Sequence, residues 1–307
     1  MSTDTPEPAV EFEEVEFSYV ADTPVLTGVD ATFGRGEFIT IIGQNGGGKS
    51  TLVKHLNGLL VPDAGSVRVH DETGSYDTSE HSMRTLASIV GYVFQNPDDQ
   101  IFHTSVRDEI MYGLRNIGVP PAECDARIED VLDQVGLGDR LHENPFSLGK
   151  GERQRLAIAS VLAMEPHIIC VDEPTTGQDK TEAAGIMEIL RAYNERGHTV
   201  IAITHDIALA AAYTDRVVVI KDGQIIADGP PERVFLDAEH LQQTNIRPPQ
   251  ITQLGVELRR TVGADLYDDM WLTVDDAVDD ICSFLNQKNV KAVKEESGQV
   301  SESNQSS

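Results

Sequence analysis

The sequence has few basic residues and no long apolar run. Its 307 residues include 24 Lys and Arg against 51 Asp and Glu, which gives a formal net charge of -27. Because an acidic surface repels polyanions, we expect no nucleic-acid partner. No segment approaches the roughly 18 apolar residues that a membrane-spanning helix needs. Residues 1–14 are acidic and polar and do not resemble a secretory signal, so we expect any role at a membrane to be peripheral.

Cysteine is also scarce, with Cys124, Cys170 and Cys282 the only three in the sequence. Their spacing matches neither a disulfide framework nor a metal-ligand motif. Cys170 lies in the apolar run 167–171, where it is most simply a small core residue. We therefore expect an intracellular, reducing setting.

The excess of acidic residues also bears on the solvent in which the chain folds. In dilute buffer a net charge of -27 opposes a compact domain through self-repulsion. At about 1 M salt the Debye length falls to roughly 3 Å, which screens most of that repulsion. The composition therefore favours a cytoplasm of very high ionic strength, as in halophiles that accumulate salt. The alternative is an ordinary soluble protein that is merely acidic.

Short apolar runs alternate with helical patterns along most of the chain. The runs 37–42, 167–172, 199–204 and 216–220 are almost continuously apolar, which is typical of parallel strands covered on both faces. Between two of them, residues 180–196 have apolar side chains at helical spacing. We therefore predict an α/β fold built on a parallel sheet.

Smaller parts are predicted around this sheet. Residues 10–19 alternate apolar and acidic side chains with an interruption at 13–14, which predicts a strand with a bulge. With a second short strand at 66–70, they indicate a small antiparallel β portion. The Asp-Gly pair at 222–223 predicts a hairpin turn. Residues 97–165 have mainly helical patterns and predict a helical subdomain.

A glycine-rich segment with the spacing Gly-x4-Gly-Lys-Ser lies between the first apolar run and a helical pattern over 50–60. Its glycines let backbone N–H groups turn inward, and the helix adds its positive N-terminus, so the segment predicts a phosphate cradle. Lys49 is placed to reach the β- and γ-phosphates of a nucleoside triphosphate, and the Ser50 hydroxyl to ligate Mg²⁺. A glycine-rich turn with a chance lysine is the alternative, which the strand and helix on either side disfavour. The expected nucleotide contacts are Gly43, Gln44, Asn45, Gly46, Gly47, Gly48, Lys49, Ser50 and Thr51.

Two carboxylates, Asp172 and Glu173, stand at the end of another apolar run. In a parallel sheet, the carboxyl end of such a strand lies at the edge where ligands bind. We expect Asp172 to hold Mg²⁺ through water, and Glu173 to act as the base or the positioner of an attacking water. A solvent-facing acidic turn is the alternative, and the phosphate loop makes it the weaker one.

Gln95 and His205 each follow a further predicted strand. His205 is placed to contact the γ-phosphate and the attacking water. Gln95 is placed to bridge Mg²⁺ or water and to sense the γ-phosphate. Taken singly, each would more often be a structural or ordinary loop residue, so both assignments depend on the rest of the site.

The order of these residues resembles that of an ABC transporter ATPase over residues 10–240. The resemblance implies a P-loop NTPase core that binds ATP with Mg²⁺ and hydrolyses it. It also implies that Tyr19 stacks on adenine, that Gln95 lies in the Q-loop, that 177–179 forms the D-loop and that His205 is the switch histidine. The motifs that carry it are Tyr19, Gly43 to Thr51, Gln95, Ser147 to Arg155, Asp172-Glu173, Thr175 to Asp179 and His205.

One motif departs from the family pattern. Where the family has Leu-Ser-Gly-Gly-Gln, this chain has Leu148, Gly149, Lys150, Gly151 and Glu152. Gly149 lacks the serine hydroxyl that would contact the γ-phosphate, whereas Gly151 and the helix N-terminus keep backbone donors. The family implies that this signature segment binds nucleotide in trans, closing the phosphate loop of a second ATPase subunit. That subunit is either a copy of this chain or a relative.

The tract 94–102, Phe-Gln-Asn-Pro-Asp-Asp-Gln-Ile-Phe, is similar to the Q-loop of cobalt-type and energy-coupling factor ATPases. This subfamily drives uptake of vitamins or transition-metal ions from the cytoplasmic face of the membrane. It implies a transmembrane coupling protein that docks near Gln95 and a membrane subunit that binds the substrate. The ATPase of a conventional ABC importer or exporter is the alternative. A soluble ABC ATPase without a transport role is disfavoured, because no coiled coil or zinc insertion separates the motifs.

The resemblance divides the chain into four parts. We expect a flexible N-terminus at 1–9 and an ATPase domain at 10–245, with its helical subdomain at 97–165. A C-terminal extension at 246–290 is expected either to contact the second ATPase or to be an independent appendage, and 291–307 to be a disordered tail. The extension is expected to be a small helical unit with the apolar residues Leu254, Leu258, Val274, Ala277, Val278, Ile281 and Leu285.

Overall fold

Two β-sheets and the helices around them form the structure, a computed structural model that describes residues 7–236, 241, 244, 246–262 and 270–285. The strands are β1 (Pro8–Val20), β2 (Thr23–Gly34), β3 (Phe38–Gly43), β4 (Ala64–His70), β5 (Ser75–Asp77), β6 (Val90–Val93), β7 (Ile168–Asp172), β8 (Thr199–Ile203), β9 (Arg216–Lys221) and β10 (Gln224–Gly229). The helices are α1 (Lys49–Lys54), α2 (Met83–Ala87), α3 (Val106–Ile117), α4 (Pro121–Gln134), α5 (Lys150–Leu162), α6 (Lys180–Glu195), α7 (Ile207–Tyr213), α8 (Pro231–Leu236), α9 (Gln250–Val262) and α10 (274–285). None of these described helices is long and apolar enough to cross a membrane.

The larger sheet has the strand order β10-β9-β3-β8-β7-β6. Strands β9, β3, β8, β7 and β6 are parallel, and β10 returns antiparallel beside β9. Asp222 and Gly223 make the turn between β9 and β10 with φ values of 48° and 78°, the pair of positive angles that Asp-Gly tolerates in a hairpin. The predicted α/β fold, its parallel sheet and this hairpin are confirmed.

The smaller sheet is antiparallel, with the order β2-β1-β4-β5. The register of β1 shifts between Phe12 and Val15, and Glu14 has a φ of 47°, so the predicted bulge is confirmed. Strand β1 begins at Pro8, and Ala9 is buried. Two residues that we assigned to a flexible N-terminus therefore belong to the sheet, and 1–6 lie outside the described residues.

The helix after the glycine-rich segment is shorter than predicted. The pattern over 50–60 predicts a helix through Leu60, but α1 ends at Lys54. Beyond it the N–H groups of His55 and Leu56 bond to carbonyls only three residues back, which tightens the chain into turns. Gly58 then takes a φ of 73°, which ends any helical continuation.

The two faces of the larger sheet pack against different layers. Phe38 and Val200 join the buried residues of α3 to α6, whereas Ile39 and Ile201 pack with the smaller sheet and α1. Neighbouring residues of one strand thus serve opposite cores, as strand geometry requires. The predicted helical subdomain is confirmed by α3, α4 and α5 together with short 3-10 turns at Pro97–Asp99, Gly138–Arg140 and Pro145–Ser147. This arrangement leaves the carboxyl ends of β3, β7 and β8 open at one edge.

The C-terminal extension contains the predicted helices, α9 and α10, but its small core differs from the prediction. Trp271 is fully buried and packs with Ala277, Ile251 and Leu258, and its Nε1 donates to Asp280 Oδ2 at 2.8 Å. Most of the other apolar side chains that we assigned to this unit remain about half exposed on its surface, namely Leu254, Val274, Val278, Ile281 and Leu285. The predicted tail at 291–307 lies outside the described residues.

Candidate functional site

The glycine-rich segment forms a tight loop between β3 and α1. A side chain at Gly43 would overlap the Ile220 carbonyl, and one at Gly48 would lie 2.9 Å from Leu26 Cδ2. Gly48 also has a φ of 104°, which side chains rarely tolerate. The loop therefore needs glycine where it approaches β9 and β2. The contacts with β9 and β2 hold the backbone of the loop in the shape of a phosphate cradle.

Lys49 is the buried cation of this loop. Its Nζ donates to the carbonyls of Gly43 and Gln44, both at 2.9 Å, and only 6% of the residue is exposed. Burial lowers the pKa of the Lys49 ammonium, while the charges of Glu173 and Asp172 act in the opposite direction. The ammonium is thus held by the phosphate cradle within electrostatic reach of the two carboxylates predicted for the site.

The loop forms one wall of an open cleft of about 460 Å³. Tyr19 stands at its rim with 57% of its surface exposed, and its hydroxyl lies 3.3 Å from Thr51 Oγ1. An exposed aromatic ring beside a phosphate loop is suited to stacking on a base. Seven of the ten residues predicted to contact the nucleotide of their own chain line this cleft, whereas Gly43, Gln44 and Gly47 do not. The cleft is lined by Tyr19, Val25, Asn45, Gly46, Gly48, Lys49, Ser50, Thr51, Gln95 and Glu173.

Three side chains converge on a single oxygen of Glu173. Its Oε2 accepts hydrogen bonds from Gln95 Nε2 at 2.8 Å and from Thr176 Oγ1 at 3.0 Å, and His205 Nδ1 lies 3.6 Å away. Glu173 has a φ of 47°, unusual for a residue with a side chain and frequent at functional sites. The structure therefore brings the predicted Gln95, Glu173 and His205 together at the cleft.

Asp172, the last residue of β7, is held by a residue that sequence reasoning missed. Tyr92 Oη donates to Asp172 Oδ2 at 3.1 Å. Burial, and then the charge of Asp172, raises the pKa of Tyr92 well above its usual range, so the phenol remains a donor. Thr176 was also missed. Tyr92 lies three residues before Gln95, and Thr176 lies within the motif 175–179 of the family resemblance, but neither was assigned a role.

The oxygen donors at this edge match what Mg²⁺ prefers. Ser50 lines the cleft and offers a hydroxyl, Asp172 at the end of β7 offers a carboxylate, and the hydrogen bond from Gln95 Nε2 leaves the Gln95 amide oxygen available. No group of three or more His, Cys, Asp and Glu with metal-site geometry occurs among the described residues. The donor set therefore suits a hard cation shared with phosphate oxygens.

The signature segment, 148–152, is not part of this cleft's lining. Gly149 is extended at the start of α5, and its N–H donates to Glu152 Oε2 at 2.8 Å. A Cβ at Gly149 would approach only Glu152 Oε2, at 3.4 Å, so packing does not exclude a serine there. The Ser147 hydroxyl bonds back to the Asn144 carbonyl. Lys150 Nζ instead donates to the Thr176 carbonyl at 3.2 Å.

An aromatic patch of Phe102, His103 and Tyr112 lies on the helical subdomain a few residues after Gln95. The ring centroids of Phe102 and Tyr112 are 5.0 Å apart, and His103 contacts both rings. Phe102 is 58% and Tyr112 48% exposed. The buried carboxylate of Glu109 accepts the backbone N–H groups of Phe102 and His103, at 3.1 and 2.8 Å. The patch is therefore both exposed and held in place.

Comparison with known proteins gives matches over most of the chain. A family model described as ABC transporter matches residues 26–176. The energy-coupling factor transporter ATP-binding protein EcfA of Methanothermobacter thermautotrophicus is 38% identical over 276 residues, which cover 90% of this chain and 87% of that protein. The EcfA of Methanocaldococcus jannaschii is 40% identical over 80% of this chain and 87% of its own length.

Solved structures agree with these relatives. The structure of cbiO1 from Clostridium perfringens, described as part of the ABC transporter complex cbiONQ, matches with a TM-score of 0.69 and 35% identity, and the match covers 81% of this chain and 99% of that chain. A dimeric ATP-binding cassette in a post-hydrolysis state, bound to ADP and Pi, matches with a TM-score of 0.65 and 27% identity over 72% of this chain and 98% of its own. The range matched by the family model includes the phosphate loop, Glu173 and the segment 148–152.

Proposed function

Because this chain belongs to the energy-coupling factor group of ABC transporter ATP-binding proteins, we propose that its cleft and its signature segment form the two halves of the ATPase sites of an uptake transporter. It is the ATP-hydrolysing subunit of that transporter. The observation that carries the assignment of the site is the convergence of Gln95, Thr176 and His205 on Glu173, beside Lys49 and the phosphate loop. A carboxylate held at this position is suited to orient a water for attack on the γ-phosphate.

In the proposed mechanism, each group of the cleft has one task. The backbone donors of 43–51 and the Lys49 ammonium bind the phosphates, while Tyr19 stacks on the adenine. Glu173 takes the proton of the attacking water, and His205 contacts the γ-phosphate beside it. Gln95 donates to the Glu173 carboxylate and lines the cleft, so it is placed to report on the state of the nucleotide.

Ser50, Gln95 and Asp172 are the residues that would hold Mg²⁺. The ion, when bound, neutralises charge on the β- and γ-phosphates. Tyr92 supports this role of Asp172 from its buried position, because its hydrogen bond orients one carboxylate oxygen and leaves the other available. Their oxygen donors and their place beside the phosphate loop support this assignment.

The open cleft supports a composite site with a second ATPase. A phosphate site with no lid to exclude water hydrolyses its ligand slowly. We assign the closing surface to the second subunit's counterpart of the signature segment, and this chain's 148–152 to the second subunit's nucleotide. Half-exposed apolar residues of the extension, including Val274 and Val278 on α10, offer further contact area for that subunit.

The aromatic patch is the surface proposed for the transmembrane coupling protein. It follows Gln95 in the chain, presents two exposed rings and is fixed by Glu109. A short cytoplasmic helix with an apolar face would dock on such a surface. We propose that the chain works peripherally at the cytoplasmic face of the membrane, and that the complex transports a vitamin or a transition-metal ion.

Replacing Tyr112 with Glu should release the chain from its membrane partners while its own ATPase site remains intact, because a charge on the patch opposes apolar docking. The tagged full-length chain is expressed with its neighbouring membrane subunits, solubilised in detergent, and the subunits retained with it are identified by mass spectrometry. Val61→Glu, at an exposed apolar residue outside the patch, is the matched control. Full retention of the membrane subunits by the Tyr112 variant would contradict this docking surface.

The net charge of -27 supports the proposal that the chain works in a cytoplasm of high ionic strength. Thermal stability and ATPase rate should rise from about 0.1 M to about 2 M KCl, as screening removes self-repulsion. Sucrose at matched osmolality is the control, because it strengthens burial without screening charge. Full stability and activity in dilute buffer would contradict the halophilic setting and leave the ATPase assignment unaffected.

A further inference from the structure

Thr176 links two parts of the chain that belong, in the proposed dimer, to different ATP sites. Its hydroxyl donates to Glu173 Oε2 at 3.0 Å, and its carbonyl accepts from Lys150 Nζ at 3.2 Å. Its own N–H bonds to the Glu173 carbonyl, which closes a turn over 173–176. A single residue thus contacts the carboxylate of its own cleft and the lysine of the signature segment.

The contact with Glu173 is placed to set the direction of the carboxylate. The Thr176 hydroxyl and Gln95 Nε2 approach the same oxygen, Oε2. The other oxygen, Oε1, has no hydrogen-bond donor among the described residues and is left for the attacking water. The backbone of Glu173 has a φ of 47°, a strained conformation that persists only where the surrounding structure holds it.

The residue that follows Thr176 leaves room for the Lys150 side chain. A side chain at Gly177 would overlap the Lys150 ammonium, so the glycine leaves the space that the lysine occupies. No carboxylate of the described residues lies within ion-pair distance of Lys150 Nζ, although the chain has 51 acidic residues. The neutral Thr176 carbonyl is therefore the acceptor that holds this exposed ammonium.

We propose that Thr176 is a positioning residue for Glu173 and that Lys150, from the signature segment, holds Thr176 in place. The inference rests on the proposed function, because it treats Glu173 as the base and 148–152 as the segment that contacts the second subunit's nucleotide. Lys150 then acts on both ATP sites of the dimer. It presents its charge to the nucleotide bound by the second subunit, and it supports the Glu173 carboxylate that acts on the nucleotide of its own chain.

Removing the Thr176 hydroxyl should lower turnover without weakening nucleotide binding. For Thr176→Val we expect kcat to fall about tenfold with KM nearly unchanged, because the base is misdirected while the phosphate contacts remain. Thr176→Ser keeps the hydroxyl and should restore most of the rate. Thr181→Val, a hydroxyl deletion on α6, is the matched control. ATP-induced thermal stabilisation verifies that each variant is folded, and Thr176→Ala replaces Thr176→Val if the latter does not fold.

The link to Lys150 is tested by a double-mutant cycle in the full-length ATPase. Lys150→Met should also lower kcat, and adding Thr176→Val should cause little further loss, because both changes act through the same carboxylate. Arg84→Met removes a positive charge from α2, on a different part of the surface, and should leave the rate unchanged. Losses that multiply in the double variant would show that Lys150 acts on phosphate alone and would overturn the link.

Comparing Thr176→Val with Glu173→Gln separates the positioning role of Thr176 from the ATPase activity of the cleft. If Glu173→Gln abolishes hydrolysis but Thr176→Val turns over like the unmodified chain, the positioning role is wrong and the ATPase site stands. If the unmodified chain hydrolyses no ATP, or Glu173→Gln retains turnover, the proposed site itself is wrong, and the inference that rests on it is wrong too.

Discussion

Glu173→Gln is expected to abolish ATP hydrolysis while ATP binding and ATP-dependent dimerisation persist. The amide has nearly the shape of the carboxylate, and its oxygen can still accept from Gln95 and Thr176. It cannot take a proton from water, and loss of a general base typically costs about 10²- to 10⁴-fold in rate. Phosphate release measures turnover, and size-exclusion chromatography with Mg-ATP measures dimerisation.

The matched control is Glu188→Gln, which makes the same chemical change at an exposed position on α6. It should hydrolyse ATP at the unmodified rate. Equal turnover in the Glu173 and Glu188 variants would mean that another group activates the water. A Glu173 variant that hydrolyses nothing and also fails to bind ATP would indicate a collapsed site.

Lys49→Ala is expected to remove most of the thermal stabilisation that ATP confers. A ligand at about 100 times its Kd stabilises the folded state by about 2.7 kcal/mol. The Lys49 ammonium is buried beside the cradle and, in this structure, is held by two backbone carbonyls of the loop. Phosphate oxygens are stronger acceptors for an ammonium than carbonyls are, so losing the lysine removes a large part of the binding free energy.

The quantity to compare is the shift in melting temperature on adding Mg-ATP, and not the melting temperature itself. Lys49→Ala also removes the two bonds within the loop, so the nucleotide-free variant is expected to be less stable. Lys54→Ala, at the last turn of α1 and outside the lining of the cleft, is the control and should keep the full shift. An undiminished shift in the Lys49 variant would contradict the assigned role of the loop.

The parts of the structure that the sequence predicted well are those with a strong local signal. Continuous apolar runs predicted β3, β7, β8 and β9, and the Asp-Gly pair predicted the hairpin at 222–223. The glycine-rich spacing predicted the phosphate loop, because only glycine fits where Gly43 and Gly48 approach neighbouring strands. At these positions both the turn of the loop and its packing against neighbouring strands require glycine, so the motif alone was enough to predict the loop.

The parts that were missed depend on tertiary contacts. The pattern over 50–60 continues at helical spacing, yet hydrogen bonds three residues apart and Gly58 end α1 early. Trp271 precedes α10 and was not assigned to the helical unit, but its contacts with Ile251 and Leu258 of α9 make it the core of the extension. Tyr92 and Thr176 reach the site only because β6 and β7 are neighbours and because the chain turns after Glu173. A pattern within one segment could not show any of these contacts.

The signature segment of this chain does not line its own nucleotide cleft, and this separation has a genetic consequence. In a proposed dimer of two copies, a chain with Lys49 replaced and a chain whose signature segment is damaged at a residue other than Lys150 are each inactive alone. Paired with each other, they combine both lesions in one site and leave the other site intact. The two defective alleles would therefore complement in the same cell, whereas two alleles that damage the same half would not.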